Sequence, residues 1–159
     1  MFVSVESEKG ENIALRAEAR WSGDWGPRLS SSKFAVDGMH MNCMKSLGTI
    51  AQSYGRGHHW WSLRLPFLAR VDTIVIYNRQ DCCTEQLSNA EIWIDYERDD
   101  YHKTQVQQQF NETGDMRNVR AREFTSQQTL FGHDVRIKNK VLDAPLSLCE
   151  VEVYGKKGI

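Results

Sequence analysis

Residues 71–83 read VDTIVIYNRQDCC. Val71, Ile74, Val75 and Ile76 form a nearly continuous apolar run, as expected of a central strand covered on both faces. The run stops abruptly at Tyr77-Asn78-Arg79-Gln80-Asp81-Cys82-Cys83, where polar chemistry begins. Arg79 and Asp81 are two residues apart, so in extended backbone their side chains leave the same face and meet, or grip one ligand together. An arginine fork held by a carboxylate is a rigid donor for oxygen-rich ligands. The plainer reading is an ordinary salt bridge at a strand end, which is weak when exposed. Cys82 and Cys83 are adjacent, and they either close a small ring, pair with distant partners or stay reduced. Each outcome leaves the chain kinked or stiffened beside the Arg79/Asp81 pair.

Working outward, Trp60-Trp61-Ser62-Leu63-Arg64-Leu65 alternates with Trp61, Leu63 and Leu65 inward, and Pro66 is expected to end that strand. From Asn12 the chain also alternates, with Ile13, Leu15 and Ala17 on one side and Ala14, Arg16 and Glu18 on the other, which predicts a half-buried strand. Ala90–Tyr96, Arg122–Leu130, His133–Lys140 and Leu148–Tyr154 read as further strands. Trp21–Ser32 contains Gly23, Gly26 and Pro27 and reads as an irregular loop whose two tryptophans either fold back as a plug or form a contact surface. Phe34-Ala35-Val36 is a short strand or a helical turn before the tight turn at Asp37-Gly38. Glu97–Asn118 is charged and glutamine-rich, and reads as a long loop with one short strand near Val106. Many short strands and no convincing amphipathic helix predict an all-β protein, an antiparallel β-sandwich.

The 159 residues suit one domain, 1–159, large enough for a real core. Twenty basic residues nearly cancel 21 acidic ones for a formal charge of -1, and no basic run tracks phosphates, so nucleic acid is not an expected partner. No apolar segment is long enough for a membrane span, and MFVSVESEKG at the start lacks the hydrophobic stretch of a signal peptide. Four cysteines permit three full pairings; if Cys82 joins Cys83, Cys43 and Cys149 remain as a second pair. That count, with the sequon Asn111-Glu112-Thr113, suits an oxidising, extracellular setting.

Enzymatic readings find little support. His58-His59 and Cys82-Cys83 lack the gap that lets side chains converge on one zinc ion. Asp95, Glu97, Asp99 and Asp100 spread along a solvated stretch, and neither a phosphate-binding glycine loop nor a nucleophile elbow is present.

Several segments together resemble the F-type lectins, the fucose-binding members of the discoidin-like, galactose-binding-like jelly rolls. They are Glu11-Asn12-Ile13-Ala14-Leu15-Arg16, Phe34-Ala35-Val36-Asp37-Gly38, Trp60-Trp61, Asn78-Arg79-Gln80-Asp81-Cys82-Cys83, Asn89-Ala90-Glu91-Ile92 and Leu148-Cys149-Glu150-Val151-Glu152-Val153, in the family's order along nearly the whole chain. The resemblance implies a site made of a histidine, an Arg-x-Asp, a second basic residue five places after the Asp, and an adjacent-cysteine disulfide packed on the sugar's apolar edge. Arg79, Asp81, Cys82 and Cys83 match, whereas the histidine position falls on Gln52 and the second basic position on Gln86. Glutamine keeps a donor but loses the charge, and charge-assisted bonds are roughly twice as strong as neutral ones. His58 or His59 is a candidate substitute, and Trp21 or Trp25 would line one wall.

The same resemblance implies a structural Ca2+ held by Asp37 and Glu150 with carbonyls near Phe34, Met39, Thr49 and Cys149. Hard cations favour such clustered oxygens; the plain alternative is that Asp37 only caps its turn. The family often places a cysteine beside the sugar-binding histidine, and here that position is Ile50, so either Cys43 takes over its pairing or Cys149 is free. The expected function is a calcium-supported lectin for terminal fucose or a related glycan on glycoproteins, with weak sites multiplied if the chain forms a homo-oligomer. The alternative keeps the fold, loses fucose, and uses the loops Trp21–Ser32 and His40–His59 in protein or gamete-type cell-surface recognition.

Overall fold

The computed structural model describes residues 10–22, 31–44, 47, 50–53, 55–97 and 105–158. Two long strands organise them: β3 (Trp60–Tyr77) and β6 (Ala121–Asn139), following β1 (Glu18–Trp21) and β2 (Ala51–Gln52) in the chain and separated by β4 (Ala90–Glu97) and β5 (Gln105–Glu112). β7 (Ser147–Leu148) and β8 (Glu150–Lys157) complete the set. β3 and β6 pair antiparallel, with register shifts between Arg64 and Ala69 and between Val71 and Thr73.

Those shifts divide β3 in two. Its first half pairs with β1 through Trp61–Arg64, and its second half pairs with β8 through Ala69–Tyr77. The later half of β6 carries β4, which carries β5. Trp61, Leu63 and Leu65 from the first half share one core with Ile74 and Ile76 from the second, together with Ile92, Ile94, Val135, Ile137 and Val153. The result is an antiparallel β-sandwich. Alternation along Trp60–Leu65 therefore has the expected sense. Buried Trp61 also donates Nε1–H to the Ser32 carbonyl at 2.9 Å, tying the 3-10 turn Ser32–Val36 to β3.

Several expectations are corrected. Pro66 does not end a strand: it falls in the unpaired stretch of the register shift, where its missing N–H costs no ladder bond. The segments 122–130 and 133–140 are one strand rather than two. Glu97–Asn118 contains the eight-residue strand β5, an edge strand whose inward positions, Val106, Gln108 and Phe110, are too polar on average to mark it in sequence. Ile13–Arg16 is a turn instead of a strand. Asn12 Oδ1 accepts the N–H groups of Ala14 and Val153, both at 3.0 Å, and Arg16 adopts φ 59°. A side-chain amide that captures the backbone in this way competes with a ladder; it buries Ala14 and leaves Leu15 49% exposed, against the expected facing, while Ile13 and Ala17 pack against the core as expected. Phe34-Ala35-Val36 is the helical alternative, a 3-10 turn. Among the described residues no helix is long and apolar enough to cross a membrane.

Candidate functional site

β3 delivers its polar terminus to one end of the sandwich. Asn78, fully buried, clamps the exit: its N–H reaches Arg120 O at 2.8 Å, its Nδ2 reaches Thr84 O and Met116 O at 3.0 Å each, and its Oδ1 accepts the Arg79 N–H at 2.9 Å. Arg79 is 4% exposed and binds Asp81 through two parallel bonds, Nε to Oδ1 and Nη2 to Oδ2, both 2.8 Å. Such bidentate pairing is what makes a nearly buried guanidinium tolerable. Asp81 Oδ1 also accepts the Cys82 N–H at 3.0 Å. Cys83 sits in the left-handed region at φ 58°, and Cys82 and Cys83 are joined as a disulfide, with Cys82 exposed. Of the options left open by sequence, the adjacent ring is the one formed, and Cys43 pairs with Cys149.

The two glutamines at the expected sugar positions meet here. Gln86, on the 3-10 turn Thr84–Leu87, turns its Oε1 toward three donors: Arg79 Nη1 at 3.1 Å, Gln52 Nε2 at 3.2 Å and Ser147 Oγ at 2.5 Å. Arg79 Nη1 also reaches Ser147 Oγ at 3.4 Å. Ser147 is the cross-strand neighbour of Gln52 in the β2–β7 pair. Nothing in the sequence singled out Ser147, because its role depends on that pairing. The arginine spends Nε–H and one Nη2–H on Asp81 and both Nη1–H on Gln86 and Ser147, leaving one N–H of the five it carries.

His59 is 3% exposed and its Nε2 lies 2.9 Å from Gly55 O, while His58 is exposed; among the described residues neither bonds to this network. Trp21 is buried at the end of β1, in keeping with the plug reading for that residue. Trp25 and Thr49 lie outside the described residues.

A second cluster joins the turn after Val36 to the start of β8. Asp37 caps its turn, Oδ1 accepting the Met39 N–H at 2.9 Å. Glu150 is fully buried; its Oε2 accepts the Gly38 N–H at 2.7 Å, while Oε1 has no hydrogen-bond partner among the described residues. Burial first, and then the neighbouring Asp37 carboxyl, push Glu150 up to about 8, partly offset by the Gly38 N–H. Two adjacent carboxyls with an orphaned, buried oxygen suit a hard cation, whose charge would favour the ionised carboxylates and so oppose that shift. Among the described residues no group of three His, Cys, Asp or Glu side chains gathers anywhere, so a cation at this point would draw its remaining oxygens from backbone carbonyls. Phe34, half-buried in the 3-10 turn, and Met39, 57% exposed, flank Asp37, and the buried Cys43–Cys149 disulfide ties the following loop to the strand that carries Glu150.

The family model of the NedA-like, galactose-binding F5/F8 type C domain matches residues 34–137. Fucolectin-1 of Anguilla japonica is 31% identical over 151 residues, covering 90% of this chain and 80% of that protein. A fucose-binding module of Streptococcus pneumoniae, SpX-3, superposes with a TM-score of 0.73 at 30% identity, covering 92% of this chain and 99% of the module. The serum F-lectin of Morone saxatilis gives a TM-score of 0.73 at 26% identity, covering 91% of this chain and 48% of that one.

Proposed function

Because the chain belongs to the F-type lectin (fucolectin) family of galactose-binding-like jelly rolls, a family of carbohydrate-binding modules and not of catalysts, we propose that it is an extracellular lectin for terminal fucose or a related glycan. The site is the end of β3, with Arg79 and Asp81 at its centre, Gln52 and Gln86 beside them, and the Cys82–Cys83 edge as an apolar platform. The observation that carries this reading is the convergence of Gln52, Arg79 and Gln86, from distant parts of the chain, on one hydrogen-bonded network. The last Arg79 N–H and the Gln86 Nε2 amide would donate to sugar hydroxyls. Asp37 and Glu150, with neighbouring carbonyls, would hold Ca2+, which neutralises the paired carboxyls and stiffens the loop behind the site.

The test is thermal unfolding of the purified chain with increasing L-fucose, with calcium and with chelator. A ligand that binds only the folded state raises Tm in step with its concentration. A rise with fucose supports the lectin reading, and a drop with chelator supports the calcium site. Absence of any sugar response across fucose, galactose and their N-acetylated relatives would overturn the lectin reading.

A second reading has its own observation. Met39, Met41, Met44 and Leu47 are 57%, 64%, 38% and 58% exposed along one loop, an apolar surface beside the site. Such a surface favours contact with a protein partner on a cell surface. Substituting these residues with serine would abolish partner binding while leaving any sugar response intact.

A further inference from the structure

The sequon Asn111-Glu112-Thr113 lies at the end of β5, and the fold treats its two outer residues differently. Thr113 is 1% exposed; its Oγ1 accepts the Ala90 N–H at 2.9 Å and donates to Leu87 O at 3.0 Å, so the hydroxyl is spent inside the molecule. Asn111 is exposed. A register shift between Ile92 and Trp93 leaves Phe110 as the extra residue on β5, and beside this bulge the Asn111 carboxamide reaches across to β6. Its Oδ1 accepts the Glu112 N–H at 2.8 Å, and its Nδ2 donates to Thr125 O at 2.7 Å. Nδ2 carries two N–H groups, so the carboxamide is held at both ends while one N–H has no partner among the described residues.

Asn111 lines a groove of about 510 Å³ between β5 and β6, together with Gln109, Thr125, Gln127 and Gln128. In the β3–β6 pair residues 126–129 stand opposite Asp72 alone, so this part of β6 leaves the ladder and forms the far wall. Gln127 and Gln128 are exposed, and their side chains make no hydrogen bond among the described residues. On this flank the two strands are bridged by side-chain amides, Asn111 Nδ2 to Thr125 O and Gln108 Nε2 to Phe131 O at 2.8 Å, in place of a backbone ladder. Unpaired backbone along the edge of a sheet is a template for another chain.

Resting on the extracellular reading above, we propose that Asn111 is N-glycosylated before β5 folds onto β4, and that its first N-acetylhexosamine then sits in this groove and covers the open flank. Transfer from a lipid-pyrophosphate oligosaccharide forms the bond from Nδ2 to the sugar C1. The bond from C1 to the pyrophosphate oxygen breaks with its electron pair on the leaving pyrophosphate, and Nδ2 gives up one proton. The remaining Nδ2–H keeps its bond to Thr125 O, so the folded chain accommodates the modified side chain in place. The order of events follows from Thr113: the sequon is read through its hydroxyl, which the folded chain buries and engages. The carboxamides of Gln127 and Gln128 match the acetamido group of the sugar, which offers one N–H and one carbonyl.

The chain behind a secretory leader is translated with microsomes, alongside Asn111→Gln and Thr113→Ser, the latter keeping the sequon. The expected result is a gel shift in the parent and in Thr113→Ser, reversed by N-glycosidase, and no shift in Asn111→Gln. Folded, unmodified chain offered to solubilised microsomes should gain no shift, whereas reduced and unfolded chain should. An unshifted parent would overturn the site, and modification of the folded chain would overturn the order of events. The seat is read by NMR on secreted chain trimmed to its first N-acetylglucosamine: contacts between the acetyl methyl and the Gln127 and Gln128 amides are expected, and a freely tumbling sugar without them would overturn it. The groove is separate from the end of β3, so the rise of Tm with L-fucose should be the same with and without the glycan. A glycosylated chain that answers to no sugar would overturn the lectin reading while supporting this one.

Discussion

Replacing Gln86 with Met removes the acceptor on which three donors converge while preserving side-chain length. The bond lost from Arg79 is charge-assisted, at about 1.5–3 kcal/mol, and those from Gln52 and Ser147 are neutral, at about 0.5–1.5 kcal/mol each. Arg79 retains its fork on Asp81, and Gln86 is half-buried, so water reaches part of the vacated position and lowers the cost toward the bottom of the summed range. A net loss of about 3 kcal/mol follows, and in a domain of this size each kcal/mol moves Tm by about 2–4 °C. The variant should therefore melt about 6–12 °C below the parent by circular dichroism or scanning calorimetry. Gln86→Glu is the matched control: it keeps an oxygen for Arg79, Gln52 and Ser147 and adds charge attraction, so its Tm should stay within about 4 °C. It replaces the outward N–H groups by an acceptor, so sugar binding should fall. Equal Tm losses in the two variants, or no loss in Gln86→Met, would refute the assignment of Gln86 Oε1 as the network's central acceptor.

Other consequences are equally direct. The Cys43–Cys149 bridge closes a sequence separation of 106 residues, so Cys43→Ala/Cys149→Ala should lower unfolding stability by about 4–5 kcal/mol in urea titrations; a loss below about 1 kcal/mol would contradict a loop-entropy role. Glu150→Gln should remove any rise in Tm on adding calcium, and a variant that still responds would place the cation elsewhere. Asp95, expected along a solvated loop, is instead buried within β4, and that burial raises its carboxyl above the ordinary value, outweighing the pull of Arg136. A raised carboxyl means that the unfolded chain releases its proton first as pH increases, so stability drains away through the window above the ordinary value of 3.8. Asp95→Asn should accordingly raise Tm at neutral pH and change it little in acid below that value; a uniform shift at both would show the effect to be packing rather than charge.

Much of this was legible along the chain. The apolar run to Ile76 placed a central strand, the period-two pattern of Trp60–Leu65 placed Trp61, Leu63 and Leu65 inside, and the spacing of Arg79 and Asp81 anticipated their fork. The departures have separate causes. At Asn12–Ala17 the alternation was present but a side-chain amide held the backbone in a turn, and the strand expected near Val106 is present but runs the full length of Gln105–Glu112, its polar inward position Gln108 having hidden its extent.

Local pattern thus determined the all-β class, the strand that carries the site, and the identity of the residues at its tip, since each depends on the facing of neighbours a few residues apart. The tertiary structure alone decided that Cys43 joins Cys149, that Ser147 belongs to the site, and that the Gln86 carboxamide oxygen is spent on Arg79. Ser147 and Gln86 are 61 residues apart and Gln52 and Gln86 are 34 apart. Contacts at such separations are set by strand pairing and by where β3 and β6 bend, and no local periodicity carries that information.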